Sequence, residues 1–216
     1  KANRHLLGII EIELSLAATI FKYRQHCSFL KSELINDTDK LIEEHRIFGC
    51  PVIGLGMMPK EHLESIEGAR SFLEKLKTPI AKIKDAGMRF AYHNHYHEFI
   101  DYGGVCIYDV LLEESPDMNF ILDTYWVEHA GRNTLDYIKL LGESDRMTNI
   151  HLKDMKSAPQ GPICPCGEGV IDFAPIVNLC KEYKIPYALV EQDNAPDLDD
   201  EFEQMKLSFD NLKALF

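Results

Sequence analysis

The sequence predicts an α/β fold built on a parallel sheet, with the strand pattern of a (β/α)8 barrel. Short apolar segments alternate with amphipathic ones along most of the 216 residues, and this alternation is typical of right-handed βαβ units. Polar, metal-capable side chains directly follow several of the apolar segments, as they do at the carboxyl ends of barrel strands. Because a barrel of this length can form one unit, we expect a single domain spanning residues 1–216.

The amino-terminal part departs from this alternation. Segments 9–13 (IIEIE) and 22–27 (KYRQHC) have the composition of strands. Residues 15–20 between them are too few for a crossover helix, because parallel neighbours need a connection of about a dozen residues or more. We therefore expect the first β/α unit to be missing or incomplete, which leaves seven strands, one short of a closed barrel.

From Asp37 onward the alternation is regular. Asp37 is a suitable cap for a helix that Gly49 ends. In the next helix, at 63–84, Thr78 and Pro79 are expected to cause a kink or a division, because proline lacks a backbone N–H. The remaining strands are predicted at 51–56, 90–93, 119–122, 148–152 and 187–190, and the remaining helices at 107–114, 133–141, 172–183 and 200–215.

Charge and composition exclude several classes of partner. A formal net charge of −12 makes the surface repel phosphate backbones, and no basic patch offsets it, so we expect no nucleic-acid partner. No apolar run approaches the roughly 18 residues that a membrane span needs, so we expect no membrane partner. A small-molecule carbohydrate substrate fits this charge and composition better than either of these partners. The sequence does not decide whether the protein forms a homo-oligomer.

The cysteines are expected to be reduced thiols. Four of the six lie inside apolar segments, where a small thiol packs well: Cys27, Cys50, Cys106 and Cys180. Cys164 and Cys166 lie in a loop rich in glycine and proline, but two thiols without a second pair make a poor zinc site. With no visible signal peptide, these features favour a cytoplasmic protein.

Residues 90–99 (FAYHNHYHEF) place an unusual density of polar groups after an apolar strand. Later strands end in the same way, at Asp123, His151 and Glu191, while Glu98 follows a short polar turn. A barrel brings such strand ends together around one axis. Singly, each acid could cap a helix and the histidine could simply pack. Together, Glu98, Asp123, His151 and Glu191 predict a site for one divalent metal ion, Mn²⁺, Co²⁺, Mg²⁺ or Zn²⁺.

The motifs HNHYHEF, LDTYWVEHAG, HLKDM, GEGVIDF and YALVEQD, in this order and spacing, resemble the sugar phosphate isomerase/epimerase family of xylose isomerase-like TIM barrels. The resemblance covers about residues 22–216. It implies a (β/α)8 barrel that binds one divalent ion through the four residues just named. His95 or His93 is the alternative to Glu98, because some relatives carry the first glutamate on the strand itself. Trp126 stands where several ketose 3-epimerases of this superfamily have a histidine, which argues against transferring their substrate.

Other polar residues near the strand ends are candidates for binding substrate. His93 and His95 follow the same strand, and His95 is also a candidate catalytic acid. Lys153 offers a cation for an oxygen of the substrate, or else forms a salt bridge with Asp154 or Glu128. Glu168 lies between two glycines in a loop that could close on a ligand. Trp126 could form an apolar wall for a sugar, or it could simply pack.

These features favour a metal-dependent isomerase or epimerase that removes a proton next to the carbonyl of a sugar, sugar phosphate or keto-polyol. Glu98 and Glu191 are the predicted proton-transferring carboxylates. A dehydratase of the inosose type is the close alternative, with His95 as its acid. An endonuclease IV-like phosphodiesterase would need several metals and a basic surface. A barrel that binds sugar without catalysis is the remaining alternative.

Overall fold

The computed structural model describes residues 7–11, 31–195 and 198–216, and for 7–11 and 31–32 it describes the backbone alone. The strand predicted at 22–27, with Cys27, lies outside these residues. The described residues group into two compact units. Residues 31–121 form the first unit, and strand β1 (Leu7–Glu11) with residues 122–216 forms the second. The expectation of a single domain stays a prediction.

The first unit alternates helices and strands in the predicted order. Its helices are α1 (Lys31–Asn36), α2 (Thr38–Phe48), α3 (Ile66–Asp85) and α4 (Ile107–Glu114), with short 3-10 turns at Lys60–His62 and His97–Phe99. Its strands are β2 (Val52–Leu55), β3 (Arg89–His93) and the first part of β4 (Asn119–Asp123). The pairs β2–β3 and β3–β4 are parallel.

The second unit continues from the end of β4. Its helices are α5 (Thr124–His129), α6 (Thr134–Glu143), α7 (Phe173–Glu182) and α8 (Glu201–Leu212), followed by a 3-10 turn at Lys213–Leu215. Its later strands are β5 (Met147–Leu152), the hairpin strands β6 (Asp154–Met155) and β7 (Ile163–Cys164), and β8 (Tyr187–Glu191). Strands β5 and β8 are parallel neighbours.

The α/β class is confirmed, and the five strands predicted after Asp37 agree with the structure to within one residue at each end. Strand β1 differs from the parallel expectation, because it pairs with β8 in the antiparallel direction. The two strands lie far apart in the sequence, so no short crossover dictates their direction. Sequence patterns also missed the short helices α1 and α5 and the β6–β7 hairpin.

Helix α3 was expected to be kinked or divided at Thr78 and Pro79, and the division is wrong. The helix runs unbroken through Pro79, and the Ser65 hydroxyl caps its start by accepting a hydrogen bond from the Gly68 N–H. A buried stripe that includes Phe72, Leu76 and Pro79 packs against the core. Burial of this stripe offsets the roughly 3 kcal/mol that an internal proline costs. Among the described helices, none is both long and apolar enough to cross a bilayer.

Candidate metal centre

Asp123 is the last residue of β4 and also the residue that caps α5. Its Oδ1 accepts a hydrogen bond of 3.1 Å from the Trp126 N–H, and its side chain is fully buried. This capping bond fixes one carboxylate oxygen at the strand end. The alternative reading of Asp123, as a helix cap, is therefore correct, and it is compatible with Oδ2 acting as a ligand.

His151 on β5 and Glu191 at the end of β8 lie beside Asp123 in the second unit. The His151 Nδ1 lies 3.0 Å from Oε2 of Glu191 and 4.0 Å from Oδ2 of Asp123. In the tautomer that carries a proton on Nδ1, the shorter contact is a hydrogen bond that the imidazole donates to the carboxylate. The candidate ligand atoms of the three residues lie within 4.8 Å of one another.

This set of donors fits a divalent ion. Two carboxylates and one imidazole, nearly all removed from water, supply hard oxygen atoms and one borderline nitrogen. The centre could bind a divalent metal, and its donors do not select one metal among Mn²⁺, Co²⁺, Mg²⁺ and Zn²⁺. The convergence of Asp123, His151 and Glu191 follows from their positions at the ends of strands β4, β5 and β8.

Lys153 lies at the centre of this group of acids. It is 1% exposed, and its Nζ lies 3.0 Å from Oδ2 of Asp123, 2.9 Å from Oε2 of Glu191 and 3.0 Å from Oδ2 of Asp193. Burial lowers the pKa of Lys153, but these three carboxylates outweigh burial and raise the pKa above its ordinary value. The side chain is therefore a buried ammonium ion.

The backbone of Lys153 is also fixed. Its carbonyl oxygen accepts a 2.7 Å hydrogen bond from the Thr124 hydroxyl, and its N–H donates to the same hydroxyl oxygen at 2.9 Å. The predicted alternative, a salt bridge from Lys153 to Asp154 or Glu128, is wrong. Glu128 accepts hydrogen bonds from the backbone and hydroxyl of Thr134 instead.

Asp154 organises the glycine-rich loop that follows β5. Its carboxylate is fully buried and accepts hydrogen bonds from four backbone N–H groups, at Met155, Gly167, Gly169 and Ile171. A side chain at Gly169 has no room, because a Cβ there would lie 2.2 Å from the Met155 carbonyl oxygen. The motifs HLKDM and GEGVIDF therefore meet through the Asp154 carboxylate.

The second unit also contains two residues that were predicted to bind substrate, Glu168 and Trp126. Glu168 is exposed, and its Oε1 accepts a 3.2 Å hydrogen bond from the Asn211 side chain. Trp126 is half-buried on α5, and the Lys153 ammonium lies 5.4 Å from the centroid of its ring. A cation at this distance is attracted to the ring. The roles of Glu168 and Trp126 in binding substrate stay predictions.

The first unit holds the other predicted residues. Glu98 is fully buried, and its carboxylate accepts hydrogen bonds from the Tyr92 hydroxyl at 2.5 Å and from the His95 N–H at 2.8 Å. Burial raises the pKa of Glu98, while both hydrogen bonds oppose that rise. The Tyr92 hydroxyl in turn accepts a 3.0 Å hydrogen bond from the Met58 N–H. Glu98 thus stabilises the polar turn after β3 through these hydrogen bonds. Its role as a metal ligand stays a prediction.

His93 and His95 lie close to each other at the end of β3. Their ring centroids are 4.8 Å apart with the planes nearly perpendicular. His93 is buried and its Nδ1 lies 3.3 Å from the Gly56 carbonyl oxygen, whereas His95 is half-buried. His95 is therefore the more accessible of the two, as a residue that contacts substrate must be.

Sequence reasoning missed the roles of Asp154 and Asp193. Both lie inside motifs that were recognised, HLKDM and YALVEQD, but each comes two residues after its strand, β5 or β8, has ended. The sequence did contain a signal for Asp193. This residue lies two positions after Glu191, and alternate residues of an extended chain lie on the same side. For Asp154 the signal was the glycine-rich loop, whose backbone N–H groups need acceptors.

Comparison with known proteins identifies a family and solved structures that this chain resembles. The profile of the family described as "Xylose isomerase-like TIM barrel" matches residues 26–214. A sugar phosphate isomerase/epimerase from Parabacteroides distasonis ATCC 8503 aligns with a TM-score of 0.69 and 24% identity, over 89% of this chain and 68% of the other. The comparison with curated protein sequences gave no match.

Two further structures are similar at lower identity. The probable 3-DHS dehydratase AsbF from Bacillus anthracis aligns with a TM-score of 0.65 and 13% identity, over 89% of this chain and 73% of the other. An IOLI protein with a bound zinc atom aligns with a TM-score of 0.56 and 15% identity, over 86% of this chain and 71% of the other. These likenesses confirm a TIM-barrel type of fold. The chain spans about two thirds of the length of the Parabacteroides structure.

Proposed function

Because the chain belongs to the xylose isomerase-like TIM barrel family, we propose that it is a divalent-metal-dependent isomerase or epimerase. The proposed substrate is a sugar, a sugar phosphate or a related keto-polyol. The reaction would begin with removal of a proton from the carbon next to a carbonyl. The group of Asp123, His151 and Glu191 is the observation that carries this proposal.

These three residues would hold the ion. A bound divalent ion polarises a carbonyl oxygen and so acidifies the proton on the neighbouring carbon. A fourth ligand was predicted from the sequence at Glu98, with His93 or His95 as alternatives, and that assignment stays a prediction. Its test is the Mn²⁺ affinity of variants at these three positions.

Glu191 is the proposed base. Its side chain is 16% exposed, whereas those of His151 and Asp123 are 2% and 0% exposed. Among the three, Glu191 is therefore the residue that a substrate can reach. The contact from His151 Nδ1 to Oε2 orients the carboxylate. A positioned carboxylate of this kind accelerates proton transfer by about 10² to 10⁴.

Return of the proton decides between epimerisation and isomerisation. Epimerisation needs a second group that delivers a proton to the opposite face of the carbon. Glu98 is the candidate that the sequence offers for this transfer, and its proton-transferring role is part of the proposal. Burial raises the pKa of this carboxyl group above its ordinary value.

A dehydratase is the second candidate. The observation in its favour is the likeness to the probable 3-DHS dehydratase, at a TM-score of 0.65 and 13% identity. Loss of water needs the same removal of a proton and, in addition, an acid near the departing hydroxyl. The half-buried imidazole of His95 is the proposed acid. The product separates the candidates, because only a dehydratase forms an unsaturated compound.

The proposal is tested by a substrate panel. Ketoses, ketose phosphates and inososes would be incubated with the Mn²⁺-loaded protein, and products would be identified by NMR. We expect at least one isomer or epimer to form, with chelator abolishing the conversion. The Asp123→Asn variant should behave like the chelated protein, whereas the exposed Asp136→Asn variant should keep full activity. If Mn²⁺ binds but no panel member is converted, the result counts against an isomerase or epimerase of these substrates and favours a non-catalytic barrel.

A further inference from the structure

The ammonium of Lys153 contacts both carboxylates of the candidate metal centre. It lies 3.0 Å from Oδ2 of Asp123 and 2.9 Å from Oε2 of Glu191. Both carboxylates belong to the group of potential ligands, whereas the third partner, Asp193, does not. A buried lysine thus neutralises two proposed ligands and is also paired with a residue outside the ligand set.

Two cations cannot share these two carboxylates without mutual repulsion. A divalent ion binds carboxylate oxygens at about 2.0 to 2.2 Å, so an ion on Asp123 and Glu191 would lie only a few ångströms from an ammonium on the same carboxylates. Repulsion between like charges is strong at that separation because the site is shielded from water. Binding of the ion and binding of the ammonium therefore oppose each other.

The position of Asp193 gives the lysine another partner. Its side chain is 33% exposed, compared with 0% for Asp123 and 16% for Glu191, so it lies on the more solvent-accessible side of the ammonium. The Trp126 ring, with its centroid 5.4 Å from Nζ, offers a further surface that attracts a cation. The flexible four-carbon stem of lysine allows a shift toward these groups without a change in the backbone.

We propose that Lys153 and the divalent ion exchange on the carboxylates of Asp123 and Glu191, and that Asp193 is a positioning residue that retains the ammonium when the ion binds. The proposal rests on the metal centre of the proposed function. Without the ion, the ammonium keeps two buried carboxylates from repelling each other. With the ion, the ammonium moves onto Asp193. Lys153 therefore weakens metal binding and Asp193 limits that weakening.

Isothermal titration of Mn²⁺ into chelator-treated protein tests the exchange without any substrate. Lys153→Met should bind Mn²⁺ at least about fivefold more tightly than the wild type, the lower end of typical coupling between two ligands. Asp193→Asn should bind it more weakly by a similar factor. In the Lys153→Met background, Asp193→Asn should change the affinity by less than about twofold, because Asp193 acts through the lysine.

The matched control is Lys156→Met, which removes one positive charge three residues away. Lys156 is exposed and its Nζ donates to the Glu168 carbonyl oxygen, so its loss should leave Mn²⁺ affinity unchanged. An equal effect of Asp193→Asn in both backgrounds would show that Asp193 acts by its own charge, and would overturn the proposal. Unchanged affinity in Lys153→Met would overturn it as well.

Failure of the proposed metal centre gives a different result. In that case the wild type and every variant fail to bind Mn²⁺, whereas failure of the exchange alone leaves wild-type binding intact.

Lys153→Met also has a second readout, its folding. A variant that folds only with Mn²⁺ supports the exchange, because the ion then supplies the missing positive charge. A variant that stays unfolded even in saturating Mn²⁺ contradicts it.

Discussion

The Nζ of Lys153 and the Oε2 of Glu191 lie 2.9 Å apart, and this oxygen is also the one that the His151 Nδ1 approaches to 3.0 Å. One carboxylate oxygen is therefore shared by a buried ammonium and an imidazole. The imidazole contact orients Glu191, which is also the most exposed of the three candidate ligands. This arrangement suits a carboxylate that transfers a proton.

Thermal stability should depend on divalent metal. An ion that binds only the folded protein stabilises it by about 2.7 kcal/mol at a concentration one hundred times its Kd. We expect Mn²⁺ to raise the Tm of the wild type and not that of Asp123→Asn. The asparagine can still accept the capping hydrogen bond from the Trp126 N–H, so the variant should fold. An equal rise in both proteins would place the ion elsewhere.

The residues that converge as predicted are those at strand ends. Asp123, His151 and Glu191 end or nearly end β4, β5 and β8. The apolar runs before them mark the strands, and parallel strands of a barrel present their carboxyl ends to one mouth. A pattern of this kind is readable from the sequence because strand length and strand direction together determine where the last side chain lies.

The residues that could not be predicted lie beyond the strand ends, where no periodicity fixes the direction of a side chain. Lys153 lies two positions after His151, and this spacing indicated that both side chains lie on the same side of the strand. It did not indicate that Lys153 is buried among Asp123, Glu191 and Asp193. Pro79 shows a second limit. Local propensity indicated a kink or a division there, and packing of the helix face keeps the helix undivided.

Glu98 should contribute to stability through the turn after β3. In Glu98→Gln the amide nitrogen replaces one acceptor oxygen, so either the Tyr92 hydroxyl or the His95 N–H loses its partner. An unsatisfied buried donor costs about 1 to 3 kcal/mol. We expect denaturant unfolding to show a loss of this size, and Glu113→Gln, an exposed control, to show almost none. A change in Mn²⁺ affinity would test the role of Glu98 as a ligand.

The same variant reports on pH dependence. Burial raises the pKa of Glu98 above its ordinary value of 4.5, so the folded protein binds this proton more tightly than the unfolded chain does. The stability of the wild type relative to Glu98→Gln should therefore be greatest below pH 4.5 and decrease as pH rises through the folded-state pKa. A difference that grows with rising pH would show that the carboxylate is stabilised in its ionised form.

The thiols should react slowly in the native protein. The five described cysteines are buried and are not joined to one another by disulfides, and their reduced state stays a prediction. Burial raises the pKa of Cys106 and Cys164 to about 11 and that of Cys180 to about 12. Little thiolate is then present at neutral pH, and the thiolate is the reactive form.

Alkylation followed by intact-mass measurement checks this expectation. The Cys27→Ala variant removes the cysteine that lies outside the described residues, so only the five buried thiols remain. We expect no rapid labelling of this variant until denaturant is added. Fast native labelling at Cys164 or Cys166 would indicate a reactive pair in the loop.

The Asp154 carboxylate should stabilise the glycine-rich loop. Asp154→Asn turns an N–H₂ group toward backbone N–H donors such as those of Gly167 and Gly169. Because hydrogen bonds to a charged group contribute about 1.5 to 3 kcal/mol, we expect a loss of stability of that order and faster proteolysis within residues 157–169. Asp136→Asn, an exposed control, should change the free energy of unfolding by less than about 0.5 kcal/mol. Unaltered proteolysis would mean that other contacts fix the loop.

The measurement that tests the central claim most directly is the exchange of solvent deuterium into the carbon next to the substrate carbonyl. The Mn²⁺-loaded wild type should incorporate deuterium into a ketose or an inosose, and Glu191→Gln should do so at least about 10² times more slowly. Exchange at the wild-type rate in Glu191→Gln would remove Glu191 as the base. Absence of exchange with every substrate of the panel, in wild-type protein that binds Mn²⁺, would contradict the proposed carbon-acid chemistry altogether.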